Sequence, residues 1–347
     1  MKIHITFLLA IGLLIGLSSC KKYNQVDNAS TVKTPYTLFI GGYNGTLHKT
    51  NDGLYYKPLF PTDNRAVRQI VVADSNLLYL KENFYYSTNE GGAFQICNNH
   101  AFPYQDIFYK YYLPNASVYD KSTKRVYLCT QTGLEYSTDL GVTFTADAAW
   151  NDPIIIPTSI TQLDNGDLYI IKDSASNVYK RTGTGNWTRV IPDLNNVLPA
   201  DSIKSPPTAY FPTWYISHTH DTLMALEYDG INGVYYSADQ GVNWFPCTGI
   251  PKVRKLLFGH QAFGNNTFYV GIDSGGLYKL KGSVLEPTSA GIPWYAKVHY
   301  VEGKTLTYRT DVKRTYLFCA TDLGLYRSET NGLDWKLIRT GTYSTLY

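Results

Sequence analysis

Glu82, Asp173, Asp229, Asp273 and Asp322 each stand in a short polar stretch between two runs rich in Tyr, Val and Leu. Carboxylates repeated in this way could work in pairs on a glycoside, one as general acid and one as base or nucleophile. They could equally ring a pocket for a cation or a sugar. Asp beside Gly is also an ordinary turn former, as in Asp229-Gly230. Two Trp-Tyr pairs, Trp214-Tyr215 and Trp294-Tyr295, follow closely on Pro212 and Pro293. An exposed aromatic plane would stack on a sugar ring, whereas a buried one would pack between structural units. Arg65 or Arg68, with Arg254, could clamp an acidic group. His218 and His220 fall on one face of a strand, but no third ligand accompanies them, so neither a metal nor another cofactor is expected.

The ends of the chain fix where such residues can act. Met1-Lys2 precedes an apolar run, Ile5 to Leu17, that stops at Leu17-Ser18-Ser19-Cys20. The run is too short to cross roughly 30 Å of hydrocarbon comfortably. It resembles a bacterial lipoprotein signal, which implies that Cys20 is cleaved, lipidated and becomes the first residue. The expected location is the cell envelope, lipid-anchored to a membrane, with the outer membrane preferred to the inner. Residues 1–20 are thus read as signal, polar 21–35 as a flexible tether, and 36–347 as the folded part. Removing Lys2 from 31 basic residues leaves 30 against 28 acidic ones. A balance this even argues against nucleic acid, which demands a concentrated basic face.

The folded part is a set of repeats. Ser137, Asp139, Gly141 and Phe144 share the pattern S-x-D-x-G-x-x-aromatic with Ser237, Asp239, Gly241 and Trp244. Ser87, Asn89, Gly91 and Phe94 match with Asn in the third place, and Ser328, Gly332 and Trp335 match with Thr330 there. Weaker copies lie at 49–56 and 180–187. The spacing between the last two strong copies is about double the rest, so one unit lacks the motif, with a remnant at 275–282. The motif resembles the Asp-box, or BNR repeat, of sialidase-like propellers. In physical terms it is a tight turn. The Asp or Asn oxygen and the Ser hydroxyl accept backbone N–H groups, glycine supplies a positive φ, and the aromatic packs beneath. These residues are structural.

Seven units of roughly 45 residues suit blades of four strands. The 31 tyrosines fit a strand-rich chain. The expectation is therefore all-β, a single seven-bladed β-propeller of four-stranded antiparallel blades. The first unit begins at its second strand, and Thr342 to Tyr347 is left over, so the tail is expected to supply the missing inner strand and close the ring. Cys97 and Cys247 occupy equivalent places on different blades. Cys129 and Cys319 do likewise, which favours four free thiols over disulfides.

The resemblance also implies that the motif turns lie opposite the ligand face, which is built from second-to-third-strand loops and blade-to-blade connections. All five acidic residues, both Trp-Tyr pairs, Arg65 and Arg254 then share that mouth face. A sialidase needs three arginines and an early aromatic-Arg-Ile-Pro motif, which is absent; Arg189-Val-Ile-Pro192 comes after the fourth turn. Xyloglucan-cleaving relatives place two carboxylates between two propellers, and one propeller supplies half that cleft. Photosystem-assembly-factor propellers are similar in length and blade number and bind protein. The expectation is a monomeric, non-catalytic binder of a glycan or an envelope protein, anchored to the membrane through its lipid. A glycoside hydrolase using loop carboxylates is the alternative.

Overall fold

Runs such as Arg125–Thr130 (RVYLCT) and Thr267–Ile272 (TFYVGI) are β-branched and aromatic, and nearly every side chain in them is buried. Such runs suit strands covered on both faces by neighbouring sheets. The computed structural model describes residues 38–50, 56–60, 65–98, 115–150, 156–172, 178–190, 213–228, 233–250, 256–262, 265–307 and 313–347. Among these residues there are twenty-eight strands and no helix, in seven antiparallel four-stranded blades. Blades five and six are joined into one sheet by a single parallel pair, Tyr228 with Leu256.

The innermost strands of blades two to seven are Gln69–Ala73, Ser117–Asp120, Pro157–Gln162, Thr213–Thr219, Leu256–Ala262 and Val298–Thr307. That of blade one is Tyr343–Leu346, the last strand of the chain, which pairs antiparallel with Leu38–Gly42. Phe39 and Tyr347 exchange backbone hydrogen bonds of 2.9 and 3.0 Å. The tail thus closes the ring as expected. Tyr343 and Leu346 pack with Leu38, Ile40, Phe318 and Leu325, which welds blade one to blade seven.

The core is a series of clusters between successive blades. One holds Tyr169, Ile171, Trp214, Tyr235 and Trp244. Another holds Phe258, Tyr269, Val301, Cys319 and Trp335.

Four turns between third and fourth strands follow one plan. The hydroxyl oxygens of Ser87, Ser137, Ser237 and Ser328 accept the N–H of Gly91, Gly141, Gly241 and Gly332 at 2.7–2.9 Å. Asn89, Asp139 and Asp239 then accept a backbone N–H four residues on at 2.8–2.9 Å. At Thr330 the hydroxyl does the same for Asp334 at 3.1 Å. The residue before each glycine also has positive φ, including Leu140 at 57°. Two successive left-handed residues are costly unless one is glycine, and the Ser and Asp bonds offset that cost. Phe144, Trp244 and Trp335 are buried beneath their turns, and Phe94 is half-buried.

Blade six has instead a two-residue turn at Gly282-Ser283 between Gly276–Lys281 and Val284–Pro287. In blade four Trp187 donates its indole N–H to Asp147 at 3.1 Å, and Arg181 is ion-paired with the same buried carboxylate. Cys97, Cys129, Cys247 and Cys319 are all free thiols.

Candidate functional site

Where they are described, the loops between second and third strands, and the chain running from one blade to the next, lie at the strand ends opposite the four turns. On that mouth face the described residues include a polar cluster of blades six and seven and a separate ion pair beside blade two. Lys297, just before the innermost strand of blade seven, pairs with Asp273 of blade six at 3.2 Å. Its backbone N–H donates to the Asp322 carboxylate at 2.9 Å. Asp322 in turn takes the Thr342 hydroxyl on its carbonyl at 3.2 Å. Arg65 and Glu82, both of blade two's mouth side, form an exposed ion pair.

At the inner edge of the cluster stands His299, the second residue of blade seven's innermost strand. Its Nδ1 shares a 3.0 Å hydrogen bond with the Tyr43 hydroxyl from blade one, and the rings meet edge-on at 4.9 Å. The Arg68 guanidinium lies 5.4 Å from the centre of the Tyr43 ring. Burial, helped by the nearby charges of Arg68 and Lys297, pushes the imidazole down to about 3. His299 is therefore neutral at any physiological pH.

Trp294 and Tyr295 sit on the outer part of the same connection and are 72% and 55% exposed. Ala296 donates its N–H to the Pro293 carbonyl at 2.9 Å, and this turn holds the pair out of the core. Their rings meet edge to face, 5.7 Å apart at 88°.

Of the residues singled out in the sequence, Asp273 and Asp322 meet at Lys297, and Trp294 and Tyr295 lie two to three residues earlier on the same connection. Arg65 lies on the same face, engaged by Glu82. Asp173, Asp229 and Arg254 lie outside the described residues, as does Cys20. Trp214 and Tyr215 require a correction, because both are buried, at 1% and 0% exposure. They fill rungs of blade five's innermost strand, opposite Glu227 and Leu226. Alternation then turns Trp214 toward blade four and Tyr215 toward blade six. Neither offers a ring face to a ligand.

Sequence reasoning missed His299, Lys297, Tyr43 and Arg68 as one group. It also missed a second polar set deeper in the channel wall. There the Thr161 hydroxyl meets His218 Nδ1 at 2.7 Å, and His260 Nε2 lies 3.4 Å from Glu302. Burial alone would raise the Glu302 carboxyl, but His260, Lys304 and the Gly303 N–H outweigh it and hold it below its usual range. No group of three or more acidic, His or Cys side chains among the described residues could hold a metal ion.

No protein-family model and no curated protein matches the chain. Solved structures do. An ancestral GH74 enzyme is similar with a TM-score of 0.53 at 15% identity, over 78% of this chain and 38% of that one. The chain therefore spans well under half of that enzyme. A YCF48 structure bound to a D1 peptide is similar with a TM-score of 0.50 at 15% identity, over 86% of this chain and 95% of that one. A catalytically inactive virginiamycin B lyase from Staphylococcus aureus has a TM-score of 0.53 at 11% identity, over 78% and 83%. At these identities the likeness is one of fold: a seven-bladed propeller, an architecture that both enzymes and binding proteins use.

Proposed function

We propose that this chain is an exported, lipid-anchored propeller that binds an envelope glycan or protein on its mouth face without transforming it. The observation that carries the reading is the exposed Trp294-Tyr295 pair on the connection that leads into the Lys297, Asp273 and Asp322 group. Large aromatics held out of the core by a turn, rimmed by polar groups, are the usual makings of a recognition surface. Two features favour binding over hydrolysis. Asp273 and Asp322 are tied up by Lys297 through its side chain and its main chain. The buried carboxyl of Glu302 is held ionised, the reverse of what a general acid requires. The YCF48 neighbour, itself bound to a D1 peptide, is matched over 95% of its own length and supports a binding role by analogy of fold.

A glycan array and a pull-down from envelope extracts, run on the full-length protein, test the reading. Ligands captured by the parent and lost in Trp294→Ala support it. Turnover of a glycoside by the purified protein overturns it. The anchoring part of the proposal rests on the Cys20 position and is tested apart from the ligand. Cys20→Ser should lose lipid labelling and leave the membrane fraction, and unchanged labelling and retention of that variant would refute it.

A further inference from the structure

His299 holds one feature that folding alone does not explain. Its Nδ1 is bonded to Tyr43, but its Nε2 is buried and has no hydrogen-bond partner among the described residues. Native proteins leave few buried polar atoms unpaired, and each one asks for a reason. The place suggests one. His299 is the second residue from the mouth end of blade seven's innermost strand, against Tyr43 of blade one, whose ring Arg68 of the connection to blade two covers.

The surroundings define what partner would suit that nitrogen. With the Tyr43 phenol as donor into the Nδ1 lone pair, the ring proton stands on Nε2 and the unpartnered atom is a donor. Arg68 stands against the Tyr43 ring, and Lys297 is two residues away along the chain. Both place positive charge around the ring, which the Asp273 carboxylate paired with Lys297 only partly offsets, so an anionic oxygen fits better than a neutral one. Trp294 lies three residues before Lys297 on the same connection and exposes its ring plane. A ligand that presents a carboxylate at one point and an apolar ring face at another along its length would meet both features at once. A peptide in extended form would draw most of its bonds from a free strand edge. The edge that blade one would otherwise offer is taken by the tail strand Tyr343–Leu346.

We infer that the channel mouth at His299 is an anchoring subsite for the carboxylate of an acidic glycan, with His299 Nε2–H donating to the carboxylate, Arg68 supplying countercharge, and Trp294 supporting a neighbouring sugar ring. This inference rests on the mouth being the binding face and adds the ligand class.

Calorimetric titration of the full-length protein in detergent decides it. The probes are a galacturonic acid trimer, its methyl ester and an acidic peptide of equal charge. The trimer should bind, and the ester should bind at least about tenfold more weakly, as expected for losing a hydrogen bond to a charged acceptor. His299→Phe should weaken the trimer by a similar factor and leave the ester within twofold. Tyr43→Phe, which removes the hydroxyl that fixes the imidazole, should show the same selectivity to a lesser degree and serves if His299→Phe does not fold. Trp294→Ala should weaken trimer and ester alike. Equal binding of trimer and ester, or equal loss of both in His299→Phe and Tyr43→Phe, overturns the carboxylate subsite. Preference for the peptide overturns the glycan class. In either case array or pull-down ligands that depend on Trp294 would leave the mouth as the binding face, whereas ligands indifferent to Trp294 would remove that reading as well.

Discussion

Two Trp-Tyr pairs close behind prolines have opposite fates in this molecule. Trp214 and Tyr215 are sealed between blades, while Trp294 and Tyr295 stand in solvent. The difference is one of register. Trp214 is the second rung of a seven-residue strand whose partner, Thr222–Tyr228, is fully paired with it. Its ring meets Tyr235 edge-on at 5.8 Å in a cluster shared by two blades. Trp294 instead occupies a turn, four residues before its strand begins at Val298. The same dipeptide is thus a structural wedge in one blade and an exposed surface in the next but one. The backbone element it falls on decides which.

The comparison can be broken most forcefully at the ring closure, where a strand-held aromatic lies at the end of the chain. Deleting Thr342 to Tyr347 removes the buried Tyr343 and Leu346 and opens the edge of Leu38–Gly42. The loss should be on the order of 5 kcal/mol, or aggregation, in a urea melt. A truncated protein that melts like the parent would show that strand-held residues are not what stabilises the ring.

Trp214→Ala should come next, at about 3–5 kcal/mol, as for other large buried aromatics. Its counterpart, Trp294→Ala, should change the midpoint by less than about 0.5 kcal/mol, as at other exposed positions. Similar costs for both would erase the distinction drawn between wedge and surface.

A smaller effect comes from pH. Burial and the proximity of His260 push His218 down to about 4, and His299 is held near 3. Both folded values lie below the unfolded value near 6.5, so the unfolded chain binds more protons in between. The stability due to these two neutral rings is therefore present above about pH 6.5 and is lost progressively as pH falls, down to about 4 for His218 and about 3 for His299. Glu302, lowered in the fold, acts in the same direction at lower pH. Proton NMR should find the two imidazoles neutral at pH 5, and a ring that titrates near 6.5 would contradict its burial.

How much of this was legible in the sequence follows from how local each feature is. The four turns could be read outright, because Ser, Asp or Asn, Gly and the aromatic satisfy one another within eight residues. Ring closure was legible because the first unit lacked a strand and the tail had nowhere else to go. The two Trp-Tyr pairs could not be separated, since a shift of two or three residues in where a strand starts is invisible in periodicity. His299 was beyond reach for a different reason. Tyr43 is 256 residues away from it along the chain, and the two meet only once the ring has closed. Sites assembled from several blades leave no short motif.

The central claim is that the mouth face binds and that Trp294 is part of the binding surface. A glycan array and envelope pull-down on the full-length protein beside Trp294→Ala, with melting curves of both, test it most directly. The account predicts ligands bound by the parent, lost or at least tenfold weaker in the variant, with the two melting temperatures nearly equal. A variant that captures the same ligands as the parent would contradict it.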